Sequence, residues 1–306
     1  MNEKTSDISV NIEHLHKSYK KVEAVKDVSL SVNKGELFGV IGPDGAGKTT
    51  IFRILTTLLL PTKGCATVEG FDVVKDYKKI RNIVGYMPGR FSLYQDLSVE
   101  ENLEFFATIF GTTIKENYHL VKDIYSQIEP FKNRPAGKLS GGMKQKLALS
   151  CAMIHKPVVL FLDEPTTGVD AVSRKEFWEM LLRLKESGIT IMVSTPYMDE
   201  ASLCDRVALM QDGRILSIDR PENIIKSYCN KLYEAKSSNS YKLLKAIKKS
   251  GFTEVVYPFG EFLHLVIKKE ISNEQFLQQF ISEGFNNIVI KETEPTIEDC
   301  FMDLMR

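Results

Sequence analysis

The chain has 306 residues, enough for one large domain and a small one. Lys+Arg and Asp+Glu both number 40, a formal net charge of +0, so nucleic acid, which selects a basic surplus, is not an expected partner. No apolar run nears the ~18 residues that span a bilayer, and the polar segment 1–7 lacks the apolar core of a secretory signal, so any action at a membrane is expected through a separate membrane partner.

In chain order, Ile8-Ser9-Val10-Asn11-Ile12 and Val28-Ser29-Leu30-Ser31-Val32 alternate apolar and polar, the pattern of half-exposed antiparallel strands. Asn33-Lys34-Gly35-Glu36 forms a turn into an apolar strand, Leu37-Phe38-Gly39-Val40-Ile41. Next comes Gly42-Pro43-Asp44-Gly45-Ala46-Gly47-Lys48-Thr49, a match to G-x-x-x-x-G-K-[ST], followed by an amphipathic Thr50-Ile51-Phe52-Arg53-Ile54-Leu55. Glycines let such a loop turn its N–H groups onto a polyphosphate, and the helix dipole adds positive potential. Lys48 supplies a point charge for the β- and γ-phosphates, and Thr49 a hydroxyl for Mg²⁺.

Residues 66–74 read as a further strand and turn. From Ser98 to about Pro157 the pattern is helical: Ser98-Val99-Glu100-Glu101 is a capping box, followed by apolar Leu103, Phe106, Ala107 and Phe110. Leu139-Ser140-Gly141-Gly142-Met143 opens another helix, whose N-terminus suits an anion. An apolar strand, 158–162, then ends in Asp163-Glu164. Asp163 lies where open α/β sheets place ligands and is expected to hold Mg²⁺; Glu164, expected on the opposite face, is a candidate general base. A helix at 171–186, a strand at 190–195, another helix, and strands at 206–210 and 214–219 follow. The expected large domain, 8–230, is therefore α/β, with a mostly parallel core sheet, an antiparallel β lobe and a helical lobe inserted at about 86–157.

Composition changes after Tyr228. Strand 231–236, helix 240–250, strands 252–257 and 261–267, helix 273–282 and strand 287–291 give βαββαβ. That order predicts a small α+β, ferredoxin-like domain at 231–306, closed by a short helix in 295–305. The scattered cysteines, Cys65, Cys151, Cys204, Cys229 and Cys300, form no C-x-x-C and read as small core residues of a reduced, cytosolic protein.

The phosphate loop, the Leu-Ser-Gly-Gly element and the strand ending Asp163-Glu164, in that order, resemble the ATP-binding-cassette (ABC) ATPase family. The closing Pro295-Thr296-Ile297-Glu298-Asp299-Cys300-Phe301 resembles appendices on ATP-binding subunits of drug and polysaccharide exporters, the ABC-2-type group. That resemblance implies ATP and Mg²⁺ as cofactors. ATP would be held by Gly42, Pro43, Asp44, Gly45, Ala46, Gly47, Lys48, Thr49 and Thr50, with Tyr19 stacked on adenine. Thr49 and Asp163 would bind the metal, and Glu164 would act as base. Ser140, Gly141 and Gly142 would grip the γ-phosphate of ATP held by a second ATP-binding subunit in a head-to-tail homo- or heterodimer, with Asp170 in the dimer loop. A membrane-spanning permease is the other implied partner, placing the chain peripherally at the cytoplasmic face; its helix would dock near 90–97.

The sequence departs from the family pattern at Gly89, where a glutamine is usual, and at Pro196, where a histidine is usual. Asp44 replaces the usual Asn, and Val169 the commoner Leu. Proline offers no N–H to a γ-phosphate. Three readings follow: a hydrolysing exporter subunit for drugs or related compounds, a catalytically weak regulatory half of a heterodimeric transporter, or a soluble ABC ATPase outside transport.

Overall fold

A computed structural model describes residues 7–89, 93–268, 270–285 and 287–305. Arg90, Phe91 and Ser92, the start of the expected docking segment, and the polar start 1–6 lie outside the described residues. The chain divides into two compact units, Met1–Glu222 with Leu304–Arg306, and Asn223–Asp303. The seam falls before the boundary expected at 230/231. Ile224 is buried, and its carbonyl accepts from the Cys300 thiol, so the intervening residues belong to the second unit.

The first unit opens with β1 (Ile8–Tyr19) and β2 (Val22–Asn33), an antiparallel pair longer than the alternation predicts. Its register shifts along β1, and His14 and Asp27 take positive φ angles of 48° and 55°. Such irregularities restart the inward phase, so Val10, Ile12 and Leu15 all face the core. Strand β3 (Leu37–Ile41) is buried throughout and leads into α1 (Lys48–Leu55), which buries Ile51, Phe52, Ile54 and Leu55. Strands β4 (Lys63–Val68) and β5 (Phe71–Asp72) complete an antiparallel sheet of order β2-β1-β4-β5. After α2 (Tyr77–Ile83) comes β6 (Val84–Met87).

The inserted helical lobe follows, with α3 (Val99–Ile109), α4 (Ile114–Tyr125) and α5 (Gly141–Met153). Two capping boxes start it, the expected one at Ser98/Glu101 and a second at Thr113/Glu116. Fully buried Asn102 bonds Tyr94 N, Tyr94 O, Leu97 O and Ser98 O, which fastens the loop entering the lobe.

The chain returns to the sheet at β7 (Val159–Asp163), then runs through α6 (Ala171–Glu186), β8 (Thr190–Thr195), β9 (Arg206–Gln211), β10 (Arg214–Asp219) and α7 (Pro221–Lys226). The helix expected after β8 is a 3-10 helix, Met198–Leu203. The six strands lie in the order β10-β9-β3-β8-β7-β6, parallel except for the edge strand β10. One core cluster joins this sheet, α1 and the antiparallel sheet. The carboxyl ends of β3, β6, β7 and β8 therefore open on one side, where ligands of such sheets bind.

The second unit contains β11 (Tyr233–Lys236), α8 (Ser240–Ser250), β12 (Thr253–Phe259), β13 (Phe262–Ile267), α9 (Asn273–Ser282), β14 (Val289–Glu292) and α10 (Ile297–Leu304). Its sheet has the order β12-β13-β11-β14 with antiparallel pairs throughout, the ferredoxin-like arrangement expected from βαββαβ. Leu263, Leu265 and Ile267 share a core with Leu243, Ile247, Phe276 and Phe280. His264 alternates to the opposite face and meets Asp299 of α10. All five cysteines are free, but only Cys151, Cys204 and Cys300 are core residues; Cys65 and Cys229 are exposed. Among the described residues no helix is long and apolar enough to cross a membrane.

Candidate functional site

The loop between β3 and α1 is a close-fitted cradle. A Cβ on Gly42 would lie 2.1 Å from the Met210 carbonyl, and one on Gly47 would lie 2.4 Å from that of Ala24. Gly45 and Gly47 take φ of 82° and 106°, so conformation requires glycine at Gly45, space requires it at Gly42, and both require it at Gly47. The loop closes on itself through Ala46 N–H to Pro43 O, and Gly42 N–H ties it to Thr195 O at the end of β8. The first N–H groups of α1, at Lys48 and Thr49, have no intrahelical acceptor by helix geometry. Lys48 is 3% exposed; its ammonium donates to Gly42 O at 2.7 Å and Pro43 O at 3.0 Å and lies 3.3 Å from Glu164 Oε1.

Across from this cradle, Asp163 ends β7 almost fully buried. Its Oδ1 accepts from Thr49 Oγ1 at 3.1 Å and from Ser194 Oγ at 2.6 Å. Glu164 corrects the sequence reading. Strand alternation puts it on the face opposite Asp163, yet it reaches Lys48, which precedes Asp163's partner Thr49 on α1. The cause is a left-handed backbone, φ 52°, that breaks the alternation one residue past the strand. Both carboxylates thus turn toward the phosphate cradle.

Gly89 follows β6, and a Cβ there would meet the Asp163 carbonyl at 3.0 Å. This loop therefore does border the carboxylate pair, with no side chain to offer it. Pro196 follows Thr195, whose hydroxyl donates to buried Glu200 at 2.5 Å and accepts from Tyr197 N–H. Ser140 caps α5 by accepting from Met143 N–H. A Cβ on Gly142 would lie 2.6 Å from Ser173 Oγ of α6, so this glycine lets the two helix starts meet. Asp170 caps α6 by accepting from Ser173 N–H, and that bond holds its exposed carboxyl below the usual range. Ser140, Gly141 and Asp170 form an exposed edge around Gly142, apart from Lys48 and Glu164 in sequence and in bonding. Tyr19 is exposed at the end of the β1–β2 hairpin, beneath the Lys17 ammonium; Asp44 is exposed, while Pro43 and Thr50 are partly covered.

Two features escaped the sequence. The first is Ser194, a polar residue in a strand otherwise apolar through Ile191, Met192 and Val193, and its polarity is the signal that could have found it. The second is an apolar cavity of about 420 Å³ between the helical lobe and β6, walled by Leu58, Tyr86, Met87, Phe106, Ile109 and Phe110. His155 also borders it, stacked on Phe110 and bonded to Val84 O, with burial lowering its basicity. Met87 of this wall is the Cα partner of Leu162, one residue before Asp163, so the wall adjoins the carboxylate site; burial, and then the Asp163 charge, push the Tyr86 phenol up to about 12.

The parallel sheet, phosphate cradle and paired carboxylates define a P-loop nucleotide-binding cassette, and comparison with known proteins makes that specific. The sequence profile described as ABC transporter matches residues 25–167. The chain is 37% identical over 308 residues to the probable multidrug ABC transporter ATP-binding protein YbhF of Escherichia coli K12, covering 98% of this chain and 52% of that protein. It is 37% identical over 212 residues to the ABC transporter ATP-binding protein NatA of Bacillus subtilis, covering 68% and 86%. It is 32% identical over 304 residues to the Nod factor export ATP-binding protein I of Sinorhizobium fredii, covering 98% and 86%. Among solved structures, cbiO1 from Clostridium perfringens, part of the ABC transporter complex cbiONQ, aligns with TM-score 0.65 and 27% identity over 72% of this chain and 92% of that one. A dimeric ATP-binding cassette bound to ADP and Pi aligns with TM-score 0.63 and 26% identity over 69% and 98%. The chain belongs to the ABC transporter family, as an ATP-binding cassette. It spans about half the length of YbhF, 52%.

Proposed function

We propose that the chain binds Mg²⁺·ATP, hydrolyses it to ADP and phosphate, and so powers export of drugs or related compounds through a separate membrane permease, as a peripheral subunit at the cytoplasmic face. The observation that carries this reading is the convergence of Lys48, Thr49, Asp163 and Glu164. Thr49 Oγ1 and Asp163 Oδ1 are 3.1 Å apart. Two neighbouring oxygens of an octahedron with ~2.1 Å metal–oxygen bonds lie about 3 Å apart, so this pair fits Mg²⁺. Bound there, the ion would neutralise charge on the phosphates.

Lys48 lies between its loop carbonyls and Glu164, so a small side-chain movement brings its charge to a γ-phosphate. Glu164, partly exposed beside that position, would accept the proton of an attacking water. Ser140, Gly141 and Gly142, with Asp170, would serve the site of a second cassette, since Ser140, Gly141 and Asp170 are exposed around buried Gly142 at the starts of α5 and α6 and make no bond to this chain's own Lys48. Stacking of Tyr19 on adenine is supported by its exposure at the hairpin end. The apolar cavity beside Tyr86 suits a helix of the permease.

A second reading, a regulatory cassette with weak turnover, is favoured by Gly89 and Pro196, which offer the carboxylate site neither a side-chain amide nor a ring N–H. One experiment separates the two. The hydrolysing reading expects measurable turnover that falls at least about 100-fold in Glu164→Gln, with an ATP-dependent dimer in size-exclusion chromatography. Turnover untouched by Glu164→Gln would remove Glu164 as base, and ATP binding without wild-type turnover would favour the regulatory cassette.

A further inference from the structure

We propose that Ser194 is a positioning residue for both carboxylates of the nucleotide site, one hydroxyl setting the metal ligand Asp163 and the base Glu164 together. The proposal rests on the Mg²⁺·ATP reading above and adds to it a residue that no phosphate motif contains.

The placement follows from strand register. In the parallel β7–β8 pair, Ser194 is the Cα partner of Asp163. It is fully buried, where a hydroxyl is costly unless its hydrogen-bonding capacity is used. Here it is used in both directions. The single Ser194 O–H donates to Asp163 Oδ1 at 2.6 Å, and Ser194 Oγ accepts from Glu164 N–H at 3.1 Å. The Ser194 carbonyl takes the same N–H at 3.0 Å.

These bonds act on two features that chemistry at the site needs. Asp163 Oδ1 is held on the side of Thr49, which donates to it at 3.1 Å. Glu164 is held by its N–H in the left-handed conformation, φ 52°, that swings its side chain to Lys48. Left-handed backbone is uncommon for a residue with a Cβ and persists where surrounding bonds fix it. The flanking loops cannot share this work through side-chain donors. Gly89 has no side chain above the Asp163 carbonyl, and Pro196 has no N–H. Further along the same strand end, the Thr195 carbonyl holds Gly42 N–H of the phosphate loop. The end of β8 therefore fixes cradle, metal ligand and base through adjacent residues.

The test compares full-length wild type with Ser194→Val, Ser194→Ala and Ser194→Thr. Val keeps bulk without the hydroxyl, Ala removes both, and Thr restores the hydroxyl. Three quantities are measured: Mn²⁺ affinity by electron paramagnetic resonance with a non-hydrolysable ATP analogue, affinity for that analogue in EDTA, and kcat and KM for ATP. Val and Ala are expected to weaken Mn²⁺ about tenfold, because a charge-assisted bond that orients the ligand is gone. They are expected to lower kcat/KM for Mg²⁺·ATP about tenfold or more while metal-free analogue affinity stays within about twofold, because a metal held tenfold more weakly beside the bound nucleotide weakens Mg²⁺·ATP by the same factor. Thr recovers both. Wild-type Mn²⁺ affinity in Val and Ala overturns the proposal. So does a Thr variant as impaired as Val, which would assign the effect to packing. If Val does not melt cooperatively, Ala decides the hydroxyl's role. If wild type binds Mn²⁺ and the analogue but does not turn over ATP, the hydrolysis reading fails, and the Mn²⁺ comparison still decides for or against Ser194.

Discussion

Among the described residues each unit of this protein buries one aspartate, and the two are bonded differently. Asp163 and Asp299 are both about 1% exposed. Asp299 is saturated: Oδ1 accepts from His264 Nδ1 at 2.6 Å and Tyr257 O–H at 2.5 Å, and Oδ2 accepts from Thr296 N–H at 2.7 Å and its hydroxyl at 2.6 Å. Burial alone would raise its pKa, but the bonds from His264, Thr296 and Tyr257 outweigh burial and hold it at about 2. These donors come from two strands and from the start of α10, so Asp299 acts as a clasp for that helix. Asp163 instead accepts from two hydroxyls that converge on Oδ1, at the carboxyl end of a strand beside a phosphate cradle. Burial by itself does not mark a functional carboxylate. The kind of donor around it does, because fixed donors on every side leave no place for a metal.

Breaking the clasp gives the largest expected effect. Asp299→Asn removes a buried charge from His264 and should destabilise the second unit by about 3 kcal/mol. Differential scanning calorimetry should show a lowered transition, while ATP affinity by titration calorimetry stays unchanged. A parallel loss of ATP affinity would show that the two aspartates are not separable. Acid should probe the same clasp. The Asp299 pKa falls from 3.8 to about 2 on folding, so its stabilisation is complete above the unfolded value and is lost as pH drops through the folded one. That corresponds to about 2 kcal/mol. Circular dichroism followed from about pH 5 down to about pH 2 should show this loss in wild type and not in Asp299→Asn.

On the cassette side, Lys48→Ala should lower ATP affinity about tenfold, roughly 1.4 kcal/mol, without moving the transition of the second unit. Unchanged affinity would remove the phosphate cradle from the account. The smallest effects are expected at the two loops. Pro196→His should raise turnover about threefold by adding a donor, less than the effect of a built-in transition-state donor. Gly89→Gln should gain less, since its Cβ would press on the Asp163 carbonyl at 3.0 Å. Turnover of both single variants and the double separates additive from coupled effects.

Local signals made much of this legible. The cradle, the paired carboxylates and the helix starts at Ser98 and Ser140 are encoded within a few residues, and Ala171–Glu186, Thr190–Thr195, Ser240–Ser250 and Asn273–Ser282 fall where periodicity puts them. What stayed hidden depends on distant partners. The turn of Glu164 toward Lys48 needs the Ser194 clasp, 30 residues away. The Asp299 clasp needs His264, 35 residues earlier. The length of β1 and β2 was masked by irregular residues that reset alternation, His14 and Asp27 among them. Exposure of Cys65 and Cys229 follows from the exposed start of β4 and a loop after α7, which residue type does not reveal.

The contrast between the two aspartates is tested most directly by Mn²⁺ binding, followed by electron paramagnetic resonance in the presence of a non-hydrolysable ATP analogue. Wild type and Asp299→Asn should bind Mn²⁺ alike, and Asp163→Asn should bind it about tenfold more weakly. Equal binding by wild type and Asp163→Asn, or a loss in Asp299→Asn as large as that in Asp163→Asn, would contradict the assignment of Asp163 as the metal ligand of this cassette.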